Sequence, residues 1–497
     1  MLKTEIRPYQ LKHVQKALRY PGFGFFGEQR SGKTLPSLAV VDQRKPDILV
    51  IVCPLKAIKV WRKQIKEHLQ IDWKCTIYTV HYEAFSRSKQ DRARWRRYYR
   101  KWRDQGKTVF TIVDEAHRIK KRGSYQSRMV RSITPYSTWR LALTGTPIAQ
   151  GREDAWAIFD FIMPGVLGER YDAFENEYLE MGTRRGKGGR EYRAIQGYKN
   201  DEKFNEIFHR YSARITLREA QREAGRAAYR VRKRVVKVEL TPGTRRIYNE
   251  LSEKLETVVR RRKVNTPMVL TLVSKLQQIV GGYIIHTETL RDEEGLPILT
   301  SRGNPKKSKT IIPIGREKIV ELVRLLEEYP RRKKLVICVQ YRHEIDRIAR
   351  RLERLGRTYK ILAGGIPFDG IFDVDTVILQ IRSGEAVDLG DADTYIFYSW
   401  NYSYINFEQS RFRILKFTSR QANYIFLVGK DTVDEDIYEA VVQKKNLAEL
   451  ICDKYRRKRE SSKRRRVHET VEARRGDRKR TSKASSLSPD RAQTTAC

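Results

Sequence analysis

The chain reads as an α/β protein built from two doubly wound parallel sheets, and three observations support this. Short apolar runs rich in β-branched residues recur along the sequence, amphipathic charged segments long enough for helices separate them, and the alternation occurs twice, on either side of a basic middle region. Strands buried on both faces read as near-continuous apolar runs. Their alternation with helical segments is the mark of a parallel sheet wound with helices on both faces.

The first block holds GFGFF at 22–26, DILVIVCP at 47–54, TVFTIVDEAH at 108–117 and TWRLALTGTP at 138–147. The second holds KKLVICVQY at 333–341, DTVILQI at 375–381, DTYIFYS at 393–399 and NYIFLVG at 423–429. Between them, AIKVWRKQIKEHL and YRHEIDRIARRLERLG keep apolar residues at helical spacing. The expected organisation is a first lobe over 1–165 and a second over 311–450. Residues 166–310 are expected to carry helical insertions, a basic hairpin and the inter-lobe connection. A tail over 451–497 has too few apolar residues and too much like charge to fold by itself, so it is expected to be disordered.

At 497 residues the chain is long enough for several domains. Its 102 Lys and Arg against 60 Asp and Glu give a formal charge of +42, which points to a polyanionic partner. The segment from Lys454 onward carries 16 basic and 5 acidic residues, so +31 remains on the body. Five cysteines without a CxxC pair or a Cys/His cluster argue against a disulfide framework or a zinc site and fit a reducing interior. There is no apolar run of about 18 residues and no signal-peptide pattern, so a soluble, intracellular protein without membrane partners is expected.

GEQRSGKT, residues 27–34, satisfies the phosphate-loop pattern through Gly27, Gly32, Lys33 and Thr34. The glycines let backbone N–H groups curl round phosphate oxygens, the lysine reaches the β and γ phosphates, and the threonine hydroxyl can bind Mg²⁺. Pro36 then falls in the first turn of the following helix, where it is tolerated. An Mg²⁺–nucleotide site also needs a carboxylate from another strand end. TIVDEAH supplies Asp114 for the metal and Glu115 to orient or deprotonate the attacking water.

RPYQ, GEQRSGKT, DEAH and LALTGTP stand in an order and spacing that resembles the superfamily 2 helicase-like ATPases. VCPLKAIKVW, TVHYEAF, DAWAIFDFIMPGVLG, VVKVELTPGTRRIY, KLQQIVGGY and GREKIVELVRLL resemble pieces of the SWI/SNF-type branch of DNA translocases. The resemblance covers about residues 5–450, not the tail. It implies two RecA-like lobes closing on ATP and Mg²⁺. It also implies that Gln10 reads adenine, for which a carboxamide is chemically suited, and that Thr144 and Thr146 couple the ATP site to the nucleic-acid groove.

In the second lobe, SWNYSYINFEQSRFRILKFTSRQANYIFLVG resembles the last motif of the family, with Gln409 at the nucleotide and an arginine finger that acts when the cleft closes. The family spaces its two arginines three apart, whereas Arg411 and Arg413 are two apart. On an ideal helix they would point about 200° from each other, so both cannot face one γ-phosphate without local irregularity. Arg413, which precedes Ile414 as in the family, is the first choice and Arg411 the second. The loop GEAVDLGDA also departs from the family's glycines while keeping Asp388 and Leu389.

The basic body suits a groove that tracks phosphates without reading bases. Lys56, Arg118, Lys120, Lys121 and Ser383 are the expected nucleic-acid contacts, with plain surface charge as the alternative for the cluster after DEAH. The resemblance favours duplex DNA, hence an ATP-dependent translocase or helicase in repair, recombination or replication. No chromatin-reading module is visible, and such a minimal form would suit a phage or virus, acting in the cytoplasm of a bacterial host. In a eukaryotic cell KRESSKRRR would serve nuclear import. An RNA helicase of the DEAH kind and a nucleic-acid-binding protein with a decayed ATPase are the alternatives. The oligomeric state stays open, a monomeric motor fitting the motif set.

Overall fold

The computed structural model describes residues 1–148, 151–185, 191–260, 266–301, 303–331, 333–364, 373–381 and 387–443. Ser383 and the 451–497 tail of the sequence analysis lie outside these residues. In chain order the strands are β1 (Gly22–Phe25), β2 (Ile48–Cys53), β3 (Thr76–His81), β4 (Val109–Asp114) and β5 (Trp139–Leu143). A hairpin of β6 (Leu179–Arg185) and β7 (Glu191–Tyr198) follows, then β8 (Ser212–Ala213), β9 (Arg230–Val238) and a second hairpin of β10 (Tyr283–Thr289) and β11 (Lys307–Pro313). The last group is β12 (Leu335–Val339), β13 (Tyr359–Leu362), β14 (Thr376–Gln380), β15 (Thr394–Phe397) and β16 (Gln421–Gly429).

Two six-stranded sheets result, ordered β3-β2-β4-β5-β1-β8 and β13-β14-β12-β15-β16-β9. Every neighbouring pair in both is parallel. This is the predicted pair of doubly wound lobes. Alternation along each strand divides the core between the two faces of its sheet. In lobe one Val50, Val52 and Val113 pack with Trp95, Tyr99 and Trp102, while Leu49, Ile51 and Ile112 pack with Val14, Leu38 and Trp61. In lobe two Leu335, Ile337 and Val339 meet Leu322, Ile348 and Leu352, and Val336 and Cys338 meet Ile279, Phe407 and Ile437.

The middle of the chain carries the expected helices and the expected basic hairpin, β6–β7, and adds a strand to each sheet. Its helices include Pro242–Arg260 and Thr266–Val280, and it supplies β8 to the edge of the first sheet and β9 to the edge of the second. Strand β9 reads RVRKRVVKV and pairs with β16 over its whole length. Its many cations hide the β-branched pattern, and charges on an edge strand are a common defence against edge-to-edge pairing. Between β8 and β9 the helix Leu217–Glu223 binds lobe two through the Gln221 amide, which donates to the carbonyls of Phe417 and Ser419 at 2.9 Å each.

Candidate active site

The registers of lobe one bring the ends of three strands to one level. Phe25 of β1 and Asp114 of β4 both stand opposite Leu143 of β5. The phosphate loop, Glu115 and the turn after β5 therefore leave the sheet side by side, at the carboxyl edge where open parallel sheets bind ligands.

The loop from Phe26 to Lys33 leads into the helix Thr34–Arg44. Gly32 has φ +80°, and a Cβ there would stand 2.8 Å from the Gln10 amide nitrogen. At Gly27 a Cβ would meet the Ser31 hydroxyl at 2.4 Å. The φ of Gly32 favours glycine, and at Gly27 a side chain would have to displace the Ser31 hydroxyl. The outer side of the loop is held by the helix Pro8–Ala17, where the Tyr9 hydroxyl donates to the Ser31 carbonyl at 2.7 Å and the Gln10 amide to the Gly32 carbonyl at 3.0 Å. Gln10 is 1% exposed and its oxygen accepts from Arg7 N–H at 3.1 Å, so both ends of its carboxamide are engaged beside the loop. Lys33 folds over the loop and donates to the carbonyls of Gly27 at 2.9 Å and Glu28 at 3.2 Å. Burial lowers its pKa, opposed by the charges of Glu115, Asp114 and Glu28.

Asp114 ends β4 with each carboxylate oxygen bonded. Trp61 Nε1 donates to Oδ2 at 2.8 Å and the Glu115 N–H to Oδ1 at 2.9 Å. Glu115 lies in the left-handed region at φ +51°, which turns it out of the strand before the short 3₁₀ turn Ala116–Ile119. Its Oε2 is 3.2 Å from His117 Nδ1, which is also 3.3 Å from the Thr144 hydroxyl, and Thr144 in turn accepts from Thr146 N–H at 3.1 Å. Glu115, Thr144 and Thr146 are thereby joined through one imidazole. The adjacent carboxylates split in acidity. Burial and then the Glu115 charge raise Asp114, against the Trp61 bond and Lys33. For Glu115 burial is outweighed by the His117 hydrogen bond and charge, Lys33 and Arg413, and the net direction is down.

Lobe two completes the site. A cleft of about 290 Å³ is lined by Arg30, Lys33, Thr34, Asp114 and Glu115 from lobe one and by Gln409 and Arg413 from lobe two. Gln409 lies in the helix Tyr404–Arg411, which passes into a 3₁₀ turn at Phe412–Ile414. Arg413 lines the cleft together with Gln409, whereas Arg411 forms an ion pair with Glu408 at 2.8 Å and does not line the cleft.

The expected nucleic-acid contacts divide similarly. Lys56 and Lys121 are exposed. Arg118 lines the inter-lobe cleft and faces Glu83 at 3.7 Å, while Lys120 is 13% exposed and held by Asp154 at 3.0 Å. Sequence reasoning missed Trp61 and His117 as partners of the carboxylates, although both stand inside motifs it quoted.

Residues 25–282 match the model of the SNF2-related domain. The chain belongs to this family. The SNF2-related chain is 22% identical over 475 residues to Protein CHROMATIN REMODELING 5 of Arabidopsis thaliana, covering 86% of this chain and 26% of that protein. It is 21% identical over 495 residues to the chromodomain-helicase-DNA-binding protein 1-like of Danio rerio, covering 91% and 44%. It thus spans less than half the length of these curated relatives. The SWI2/SNF2 ATPase core of Sulfolobus solfataricus in complex with dsDNA aligns with a TM-score of 0.37 at 20% identity over 89% of this chain and 92% of that one. No helix among the described residues is long and apolar enough to cross a membrane.

Proposed function

We propose that this SNF2-related chain hydrolyses ATP in the cleft between its lobes and couples closing and reopening of the cleft to movement along duplex DNA. The observation that carries the reading is the single cleft lined by the phosphate loop, both DEAH carboxylates, Gln409 and Arg413. In it, the loop N–H groups and Lys33 bind the triphosphate, whose oxygens take over the lysine from the Gly27 and Glu28 carbonyls. Thr34 and Asp114 suit Mg²⁺. Asp114 is an oxygen donor raised in pKa by burial and by a second carboxylate, an arrangement a dication relieves. When bound, Mg²⁺ neutralises developing charge on the phosphates.

Glu115, kept ionised by its surroundings, orients the attacking water and accepts its proton. Arg413 faces the transferring phosphoryl group and stabilises its charge only while lobe two is docked. Gln10 serves the nucleotide by fixing the phosphate loop through its bond to the Gly32 carbonyl. Arg411 serves lobe two by pairing with Glu408. The imidazole link from Glu115 through Thr144 to Thr146 carries the state of the ATP site toward the nucleic-acid groove, where Lys56 and Lys121 contact phosphates. A monomer suffices for this cycle.

Duplex DNA is supported by the +31 of the body, by family membership and by the DNA-binding relative from Danio rerio. Repair, recombination or replication is the setting that such a motor serves. Displacement of a third strand from a triplex on duplex DNA tests the reading. ATP should drive release, and Glu115→Gln should abolish it. Release that needs no ATP, or turnover supported by RNA alone, would overturn the choice of track.

A further inference from the structure

A contact across the cleft involves a phosphate-loop residue that the motif itself leaves open. Arg30 lies inside the loop at φ +66°, an uncommon conformation for a side-chain-bearing residue that needs support from its surroundings. Its guanidinium reaches into lobe two, where Nη2 donates to Asp388 Oδ1 at 3.0 Å and to the Val387 carbonyl at 3.4 Å. Asp388 is held for this contact because the same Oδ1 accepts from Gly390 N–H at 3.0 Å.

The Val387–Leu389 segment also holds Arg413. Arg413 Nη1 donates to the Val387 carbonyl at 3.2 Å, and the Leu389 N–H donates to the Arg413 carbonyl at 3.1 Å. One carbonyl therefore receives an arginine from each lobe, and one dipeptide joins the phosphate loop to the cation facing Glu115. The pair is 28% and 52% exposed, at the rim rather than in a core, so it can form and break as the cleft moves.

We propose that Arg30 and Asp388 form a lobe-to-lobe positioning pair that seats Arg413 over the phosphate loop when the cleft closes, an inference that rests on the ATPase reading above. The pair acts through Arg413 and does not itself bind the nucleotide. Its loss therefore lowers turnover without weakening ATP binding.

Steady-state ATP hydrolysis on saturating duplex DNA is measured for the wild type, Arg30→Ala, Asp388→Ala and the double variant, together with the affinity of each for a fluorescent ATP analogue. Each single variant should lose about tenfold in kcat, the worth of a charge-assisted hydrogen bond. The double variant should lose no more than either single one, because both remove the same contact. Analogue affinity of Asp388→Ala, which does not line the cleft, should stay within about twofold of wild type. Losses that multiply in the double variant overturn the pairing. So does an Arg30→Ala variant that weakens analogue binding about tenfold while Asp388→Ala keeps its kcat, since Arg30 would then bind phosphate by itself. If no nucleic acid stimulates the wild type, the functional reading fails separately. The pair is then read from the distance between fluorophores on the two lobes in nucleotide-free protein. That distance should lengthen in both single variants, and an unchanged distance overturns the inference.

Discussion

Glu344 gives lobe two a pH dependence whose sign and size follow from its surroundings. It sits in the first turn of the helix Arg342–Arg354 and is 1% exposed. One oxygen accepts from Tyr341 N–H at 3.1 Å and from the Ser399 hydroxyl, while Oε1 has no hydrogen-bond partner among the described residues. Burial pushes the carboxyl up from 4.5 to about 7, against the Ser399 and Tyr341 bonds and the Lys318 charge. The folded state therefore holds this proton more tightly than the unfolded chain. The stability it contributes is fully present below pH 4.5 and is lost as pH rises through 7. At about 1.4 kcal/mol per pH unit, the change between pH 5 and pH 8 is about 2–3 kcal/mol. Glu344→Gln keeps the shape without the charge. Relative to wild type it should therefore gain about 2–3 kcal/mol of lobe-two stability between the two pH values. Hydrogen exchange of peptides spanning β12 and β15 reads that lobe alone. An equal difference between variant and wild type at both pH values would rule out a raised Glu344 pKa in the folded lobe.

Arg413→Ala should lower nucleic-acid-stimulated kcat by about a thousandfold with ATP binding retained, as expected for a cation that acts in the transition state. Arg411→Ala should instead cost lobe two about 1–3 kcal/mol, read by urea denaturation, because it removes the partner of Glu408. Lys318 and Asp434 form an ion pair in the core of lobe two, each 1% exposed. Asp434→Ala should cost about 3–5 kcal/mol by stranding a buried ammonium, whereas Lys318→Met with Asp434→Leu should recover most of it. Deleting residues 454–497 should raise the dissociation constant for duplex DNA and flatten its salt dependence at unchanged saturated turnover. A large fall in saturated turnover would make the tail part of the motor.

Both sheets were legible because their central strands are buried on two faces and so appear as unbroken apolar runs, as in β2, β4, β12 and β16. Apart from the two-residue β8, the missed strands are those with one wet side. Strand β3 is half-buried along most of its length, β9 is dense in arginine, and β10 and β11 are largely exposed, so none carries the apolar signal. In the site, GEQRSGKT and DEAH could be singled out because the proposed phosphate and metal chemistry demands particular residues at fixed spacing. The sharing of work between Arg411 and Arg413 was only half readable. Spacing showed that they point apart, but the choice between them depends on folded contacts, the Glu408 pair of Arg411 and the place of Arg413 in the cleft lining. Trp61 and His117 act on Asp114 and Glu115 through folded contacts that no linear pattern specifies, and the same holds for Arg30 and Asp388.

If the cleft works as proposed, duplex DNA governs ATP turnover in it. Steady-state ATP hydrolysis without nucleic acid and with duplex DNA, single-stranded DNA or RNA, with Glu115→Gln as control, tests it most directly. Duplex DNA should stimulate turnover strongly, and the control should lose at least about a hundredfold. No stimulation by any nucleic acid, or stimulation by RNA alone, would contradict this.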